Sequence, residues 1–159
     1  MAGIGGLHLR EVEAGEEAVV VALHDLALER TGAHGGHGPW EDDLHDLRGH
    51  YLEAGGCFLV GFLDGELVAM GGFVPHGPAE VEIRRMRVHP DFQRRGFGRL
   101  LLEELEDRAR AAGARTARLD TTTLQTAARR LYERAGYRET GRRRTGPFEL
   151  VDYEKALPG

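Results

Sequence analysis

Met86-Arg87-Val88-His89-Pro90-Asp91-Phe92-Gln93-Arg94-Arg95-Gly96-Phe97-Gly98 is the stretch on which the reading of this chain turns. Glu80 to Val88 has the pattern of a strand, and Pro90, which has no N–H to give to a ladder, closes it. Gln93 to Gly98 is a basic glycine loop, and a helix-patterned run from Arg99 to Ala112 follows at once. A strand, a basic glycine loop and a helix start make an anion site, because loop N–H groups and the helix N-terminus converge on one spot. Gly96 and Gly98 let the backbone approach a diphosphate with no side chain in the way. A nucleotide-hydrolysing loop would need Lys followed by Ser or Thr after its last glycine, and here Arg99-Leu100 stands. A dinucleotide fold would need three glycines spaced G-x-G-x-x-G, and two are present.

Outward from this centre, the chain alternates strands and helices. Leu7–Arg10 reads as a short strand, and Glu16–Arg30 as a helix with Val19, Val20, Leu23, Leu26 and Ala27 at helical spacing. Thr31–Trp40 is a glycine-rich loop, and Glu41–Ala54 reads as a second helix stopped by Gly55-Gly56. Cys57–Leu63 and Glu66–Val74 are strands joined by Asp64-Gly65, a strong hairpin signal. Leu101, Leu102, Leu105, Ala109 and Ala112 form the stripe of the helix after the glycine loop, with Gly113 as its stop. Arg115–Asp120 is a strand, Thr123–Ala135 a helix, and Tyr137–Arg142 and Phe148–Ala156 two closing strands. The order β-α-α-β-β-β-α-β-α-β-β supports a mixed α/β fold.

At 159 residues the chain is expected to form one domain, 1–159, large enough to bury a core. No apolar run approaches a membrane span, and Met1–Ile4 lacks the basic start and apolar stretch of a signal peptide. Cys57 is the lone cysteine and sits in an apolar strand pattern, which suits a buried thiol in a reducing cytoplasm. The net charge of −5 argues against nucleic acid as a partner. The arginines from Arg84 to Arg99, with Arg142-Arg143-Arg144, instead suggest a locally basic groove for a phosphorylated cofactor.

The loop resembles the pyrophosphate-binding motif of the GCN5-related N-acetyltransferase (GNAT) family, Q/R-x-x-G-x-G/A, with Gln93, Gly96 and Gly98 in place. A second landmark lies downstream. Ala127-Ala128-Arg129-Arg130-Leu131-Tyr132-Glu133-Arg134-Ala135-Gly136-Tyr137 is similar to the family's late helix, with its A-x-x-L-Y-E-x-x-G-F/Y ending. Many members carry Asn near the start of this helix. Gln125 stands there in this chain, offering the same amide one carbon further out. The resemblance covers Gly56–Leu157 well and Leu7–Ala54 loosely.

The resemblance implies the acyl-CoA N-acyltransferase fold, a mostly antiparallel sheet splayed in the middle and flanked by helices, with acetyl-CoA as donor. It implies that pantetheine runs beside the strand ending at Val88 and bonds to the main chain at Met86 to Val88. Gln93, Arg94, Arg95, Gly96, Phe97, Gly98 and Arg99 would hold the pyrophosphate, and Gln125 and Ala128 would face the cofactor from the late helix. Tyr132 would give a proton to the departing sulfur. Spacing agrees that Gln125, Ala128, Arg129 and Tyr132 share one helix face, beside an apolar face of Leu124, Ala127, Leu131 and Ala135.

Glu82 matches the position of the base in some members. The residues themselves leave three roles open for it: base, orientation of the substrate, or ion pair with Arg84 or Arg85. Even spacing puts Glu82, Arg84, Met86 and Val88 on one strand face unless a bulge intervenes. His34-Gly35-Gly36-His37 lacks a carboxylate or cysteine at ligand spacing, so no metal is expected. The loop, with Trp40, is expected to help shape the acceptor pocket.

The reading is an acetyl-CoA-dependent N-acetyltransferase acting by direct attack in a ternary complex. The expected acceptor is a primary amine of a small molecule or a protein, with a homodimer as the expected assembly and neither nucleic acid nor membrane as partner. Transfer of a longer acyl group, or a non-catalytic acyl-CoA-binding module, is the alternative.

Overall fold

The computed structural model describes residues 6–159, so the leader reading at Met1–Ile4 falls outside the described residues. One seven-stranded sheet runs through it in the order β1-β2-β3-β4-β5-β7-β6. The strands are β1 (His8–Glu11), β2 (Cys57–Leu63), β3 (Glu66–Pro75), β4 (Glu80–Val88), β5 (Thr116–Thr122), β6 (Arg138–Thr145) and β7 (Phe148–Ala156). The helices are α1 (Glu17–Thr31), α2 (Phe97–Ala111) and α3 (Thr126–Arg134). Every neighbouring pair is antiparallel except β4 with β5.

Local chemistry sets the element ends. Asp64 and Gly65 both take positive φ, 50° and 82°, the geometry a two-residue hairpin turn needs to match strand twist. Both sheet faces are covered. On one, Leu101, Leu102 and Leu105 of α2 pack against Leu59, Phe73, Ile83 and Met86. On the other, Val20 and Leu23 of α1 join Leu44, Leu47 and Tyr51 over Phe58, Val60 and Met70.

Three readings are corrected. Glu41–Ala54 is not one helix. A 3-10 segment spans Pro39–His45, Asp46 leaves helical geometry at φ −151° and ψ 72°, and a wide turn spans Arg48–Leu52. Asp46 Oδ1 accepts from the Gly49 N–H at 3.1 Å, a local side-chain bond that competes with helix continuation. On α3 the apolar face is narrower than its spacing suggests, since Leu124 and Ala127 are exposed and Leu131 and Ala135 are only partly buried. Ala112, at the end of the α2 stripe, is also exposed.

The bulge that the even-spacing reading left open is present in β4. Its register against β3 slips between Met70↔Arg87 and Gly72↔Arg84, and Arg85 sits in the bulge at φ 60°. The extra residue swaps faces. Val81 and Ile83 point to the α2 core before the bulge, and Met86 does so after it. Glu82 therefore does not share a face with Met86 and Val88.

Candidate active site

The sheet opens at its centre. β4 and β5 pair only at Glu80↔Thr116, Val81↔Ala117 and Glu82↔Arg118, while both strands run on past that point. On the other edge of β4, His89 N–H donates to Val68 O of β3 at 2.8 Å. Strand alternation then turns Arg87's main chain to β3 and the N–H and C=O groups of Met86 and Val88 to the opened edge. Met86 O accepts from Arg87 Nη1 at 2.8 Å; leaving the other groups buried and unpaired costs about 1–3 kcal/mol each. An extended amide-bearing chain lying in the gap supplies their partners.

The basic loop lies beyond the end of β4. Gln93 to Gly96 are exposed, and Arg94 and Gly96 hold positive φ of 65° and 83°. Gly96 opens α2, whose first-turn N–H groups lack intrahelical acceptors and carry the positive end of the helix dipole. Arg95 stacks on the Phe92 ring, 5.0 Å from its centroid, and Arg99 pairs with Glu103 at 3.1 Å. Phe97 is buried in the core. A Cβ on Gly98 would stand 3.1 Å from Leu131 Cδ2 and 3.4 Å from Val88 Cγ2, so a larger residue would press α2 against α3 and β4.

On the α1 side of the opening is a cleft of about 980 Å³. Of the sequence-predicted residues it gathers Glu82, Met86, Arg87, Gln125 and Tyr132; Val88, the loop from Gln93 to Arg99, and Ala128 do not line it. Glu82 accepts from Arg84 Nε. Tyr132 is buried, packed edge-on against Tyr137, and burial pushes its phenol up to about 12, so it keeps its proton at neutral pH. Gln125 stands just before α3, where its Oε1 accepts from the Thr122 N–H and hydroxyl, each at 3.1 Å.

Sequence reasoning missed several cleft residues. Asp120 of β5 accepts from Arg143. Burial raises its pKa, with Arg143 opposing and Glu82 and Asp152 adding. Asp43 accepts from Nε and Nη2 of Arg85, and His24 and Thr121 line the cleft. His24 left a trace: it interrupts the buried face of α1 between Leu23 and Leu28. Asp43, Asp120 and Thr121 left none, since nothing in spacing says which strand opens from its neighbour.

The histidine loop does meet carboxylates in three dimensions, so the sequence argument against them is corrected. His34 Nε2 lies 2.8 Å from Asp25 Oδ1, while His37 Nδ1 and His24 Nε2 each lie 2.9 Å from a Glu41 oxygen. The donor atoms of Asp25, His34, His37 and Glu41 all fall within 4.8 Å of one another. In this arrangement the same atoms hydrogen-bond one another. Gly36 N–H donates to His34 Nδ1 at 2.9 Å, so Nε2 carries the ring proton and gives it to Asp25. A metal would need that same Nε2 as a lone pair. Cys57 is buried, and burial pushes its thiol up to about 11, away from nucleophilic use. No helix among the described residues is long and apolar enough to cross a membrane.

Comparison with known proteins agrees with this geometry. The family model described as "Acetyltransferase (GNAT) family" matches residues 20–137. No curated protein gives a significant sequence match. Among solved structures, an acetyltransferase of the GNAT family from Staphylococcus aureus superposes with a TM-score of 0.86 at 16% identity, over 96% of this chain and 99% of that one. The ribosomal-protein-S18-alanine N-acetyltransferase of Escherichia coli gives 0.75 at 21% identity, over 95% and 94%. The Salmonella typhimurium protein yncA, solved with its cofactor acetyl-CoA, gives 0.73 at 19% identity, over 97% and 95%.

Proposed function

The chain belongs to the acetyltransferase (GNAT) family, and from that premise we propose that it moves an acetyl group from acetyl-CoA to a primary amine by direct attack in a ternary complex. The observation that carries the reading is the opened edge of β4, where Met86 and Val88 turn main-chain groups to the gap between β4 and β5. A neighbour solved with acetyl-CoA supports the same donor.

Each residue has a task in this reading. The Gln93–Arg99 loop and the α2 N-terminus bind the pyrophosphate. The main chain of Met86 and Val88 holds the pantetheine arm, and one N–H there steadies charge developing on the thioester oxygen. Acetyl-CoA supplies an activated acyl carbon whose thiolate leaves as the amine attacks. Glu82 takes the amine proton, directly or through water, and Asp120 beside it helps hold the incoming ammonium. Tyr132 keeps its proton for the departing sulfur. The free, buried Cys57 suits a reducing cytoplasm. Residues 1–159 act as one catalytic domain.

The experiment is an amine panel incubated with acetyl-CoA, reading thiol release alongside acyl-CoA binding. Turnover carries the reading. Binding without turnover of any amine points to an acyl-CoA-binding module, and neither one overturns both.

A further inference from the structure

Three buried side-chain polar atoms find no hydrogen-bond partner among the described residues: His24 Nδ1, Arg87 Nε and Thr121 Oγ1. All three residues line the same cleft. Buried polar atoms are nearly always satisfied within a fold, so three orphans on residues lining one cleft mark where a ligand's polar groups go.

Arg87 is the decisive one. Arg84 of the same strand pairs with Glu82, and Arg85 pairs with Asp43. Arg87 has no carboxylate within 4.0 Å among the described residues, and its one bond is Nη1 to Met86 O at 2.8 Å. Burial pulls its guanidinium down to about 10, so it is still charged at neutral pH. A partly buried cation whose Nε is shut off from solvent, without a counter-charge in contact, is costly to keep. We propose that the acetyl acceptor is a small amine that also carries a carboxylate, and that this carboxylate seats on the Arg87 guanidinium. The inference rests on the acetyl-transfer reading.

The chemistry of the wall fits a zwitterion. A guanidinium's planar fork of N–H donors matches a carboxylate edge. The amine end has Glu82 and Asp120 in the same cleft. His24 Nε2 is bonded to Glu41, and burial, with the Arg87 and Arg85 charges, pushes the ring down to about 4, so Nδ1 is a free acceptor at neutral pH. It can take an N–H or O–H of the ligand, and Thr121 can give or take one more. A phosphate dianion would meet Glu82, Asp120 and Glu41. An amine without a carboxylate would displace water from Arg87 and give nothing back.

The test uses matched pairs, free L-amino acids against their carboxamides, with acetyl-CoA as donor. kcat/KM and calorimetric binding of each acceptor alone are both measured. The wild type should favour the acid over its amide by about 10²-fold or more. Arg87→Met should bring that ratio close to one, and Arg87→Lys should restore part of it. Arg87→Met should also melt no lower than the wild type, because it removes an unpartnered, partly buried charge. Equal use of acid and amide by the wild type overturns the inference while leaving acetyl transfer standing. So does turnover confined to amines without a carboxylate, or an Arg87→Met variant that raises only the acetyl-CoA KM. Should Arg87→Met fail to fold, the wild-type ratio and Arg87→Lys still decide. Failure of the underlying reading looks different: no acyl-CoA is bound and no amine of any kind is acetylated.

Discussion

Arg85 donates through Nε and Nη2 to the two oxygens of Asp43, at 3.0 and 2.7 Å. The same Nη2 bonds Trp40 O at 2.7 Å, and Tyr51 gives its hydroxyl to Asp43 at 2.6 Å. Arg85 occupies the β4 bulge, and Asp43 belongs to the 3-10 segment that replaces a regular helix. The pair therefore fastens the cleft's irregular wall to its opened strand. Burial alone would raise the Asp43 pKa, but the bonds from Arg85 and Tyr51 outweigh it and hold the carboxyl below its usual range. Breaking a largely buried pair leaves one charge stranded. Asp43→Ala should destabilise the protein by about 2–4 kcal/mol in urea unfolding, with loss of acceptor binding before loss of acetyl-CoA binding. A change within about 0.5 kcal/mol would show that the pair is solvated in solution.

Acetyl-CoA should raise the melting temperature. Ligand at about 100 times its dissociation constant adds roughly 2.7 kcal/mol by mass action. Gly96→Val and Gly98→Val should each abolish the rise for different reasons. The first forces a branched residue to φ 83°, and the second drives a side chain into Leu131 and Val88. Gly96→Ala, facing open space, should keep part of the shift. A full shift in both valine variants, by scanning calorimetry, would remove the loop from the cofactor site.

Glu82→Gln should lower kcat by about 10²-fold or more with acetyl-CoA binding intact. An unchanged kcat with a raised amine KM would assign Glu82, and its bond to Arg84, to substrate orientation instead.

Tyr132→Phe keeps the ring packing against Tyr137 and Tyr153 and removes only the hydroxyl. Stability and acetyl-CoA affinity should hold. The loss should fall on kcat, where thiolate charge appears only in the transition state. A thiol is acidic enough to leave largely unaided, so about ten-fold is expected, below the usual range for acid catalysis. Wild-type kcat with chemistry limiting would make Tyr132 a packing residue.

His24 links stability to pH. Its folded pKa is pushed to about 4, chiefly by burial, from 6.5 in the unfolded chain. The unfolded state then binds the extra proton between these values, so stability falls as pH drops from about 6.5 toward 4. The loss should be about 1–3 kcal/mol. His24→Gln, whose amide can still donate to Glu41, should flatten this slope relative to the wild type in denaturant midpoints at pH 7, 6 and 5. Parallel curves for the two proteins would mean that His24 does not titrate in this window.

Some of this was written in the chain itself. Glycines with positive φ, alternating strands and the Asp64-Gly65 turn are local signals, because backbone sterics and side-chain period act over a few residues. They give the strands within three residues at either end, and β4 at Glu80–Val88 with no difference. The basic loop between that strand and α2 was legible for the same reason, and so was the family resemblance. The segment 39–52 was not. Its helical spacing is real, but Pro39, the Asp46–Gly49 bond and the pull of Arg85 on Asp43 outweigh propensity.

Only the tertiary structure decided which face of β4 meets the cleft, since one extra residue at Arg85 inverts the alternation. Only it brought Asp25 and Glu41 to the histidine loop, and Asp120 and Thr121 to the cleft that Arg87 lines. The second meeting depends on where β4 and β5 part, after Glu82↔Arg118. Strand parting is a property of the whole sheet's packing, and no window of sequence contains it.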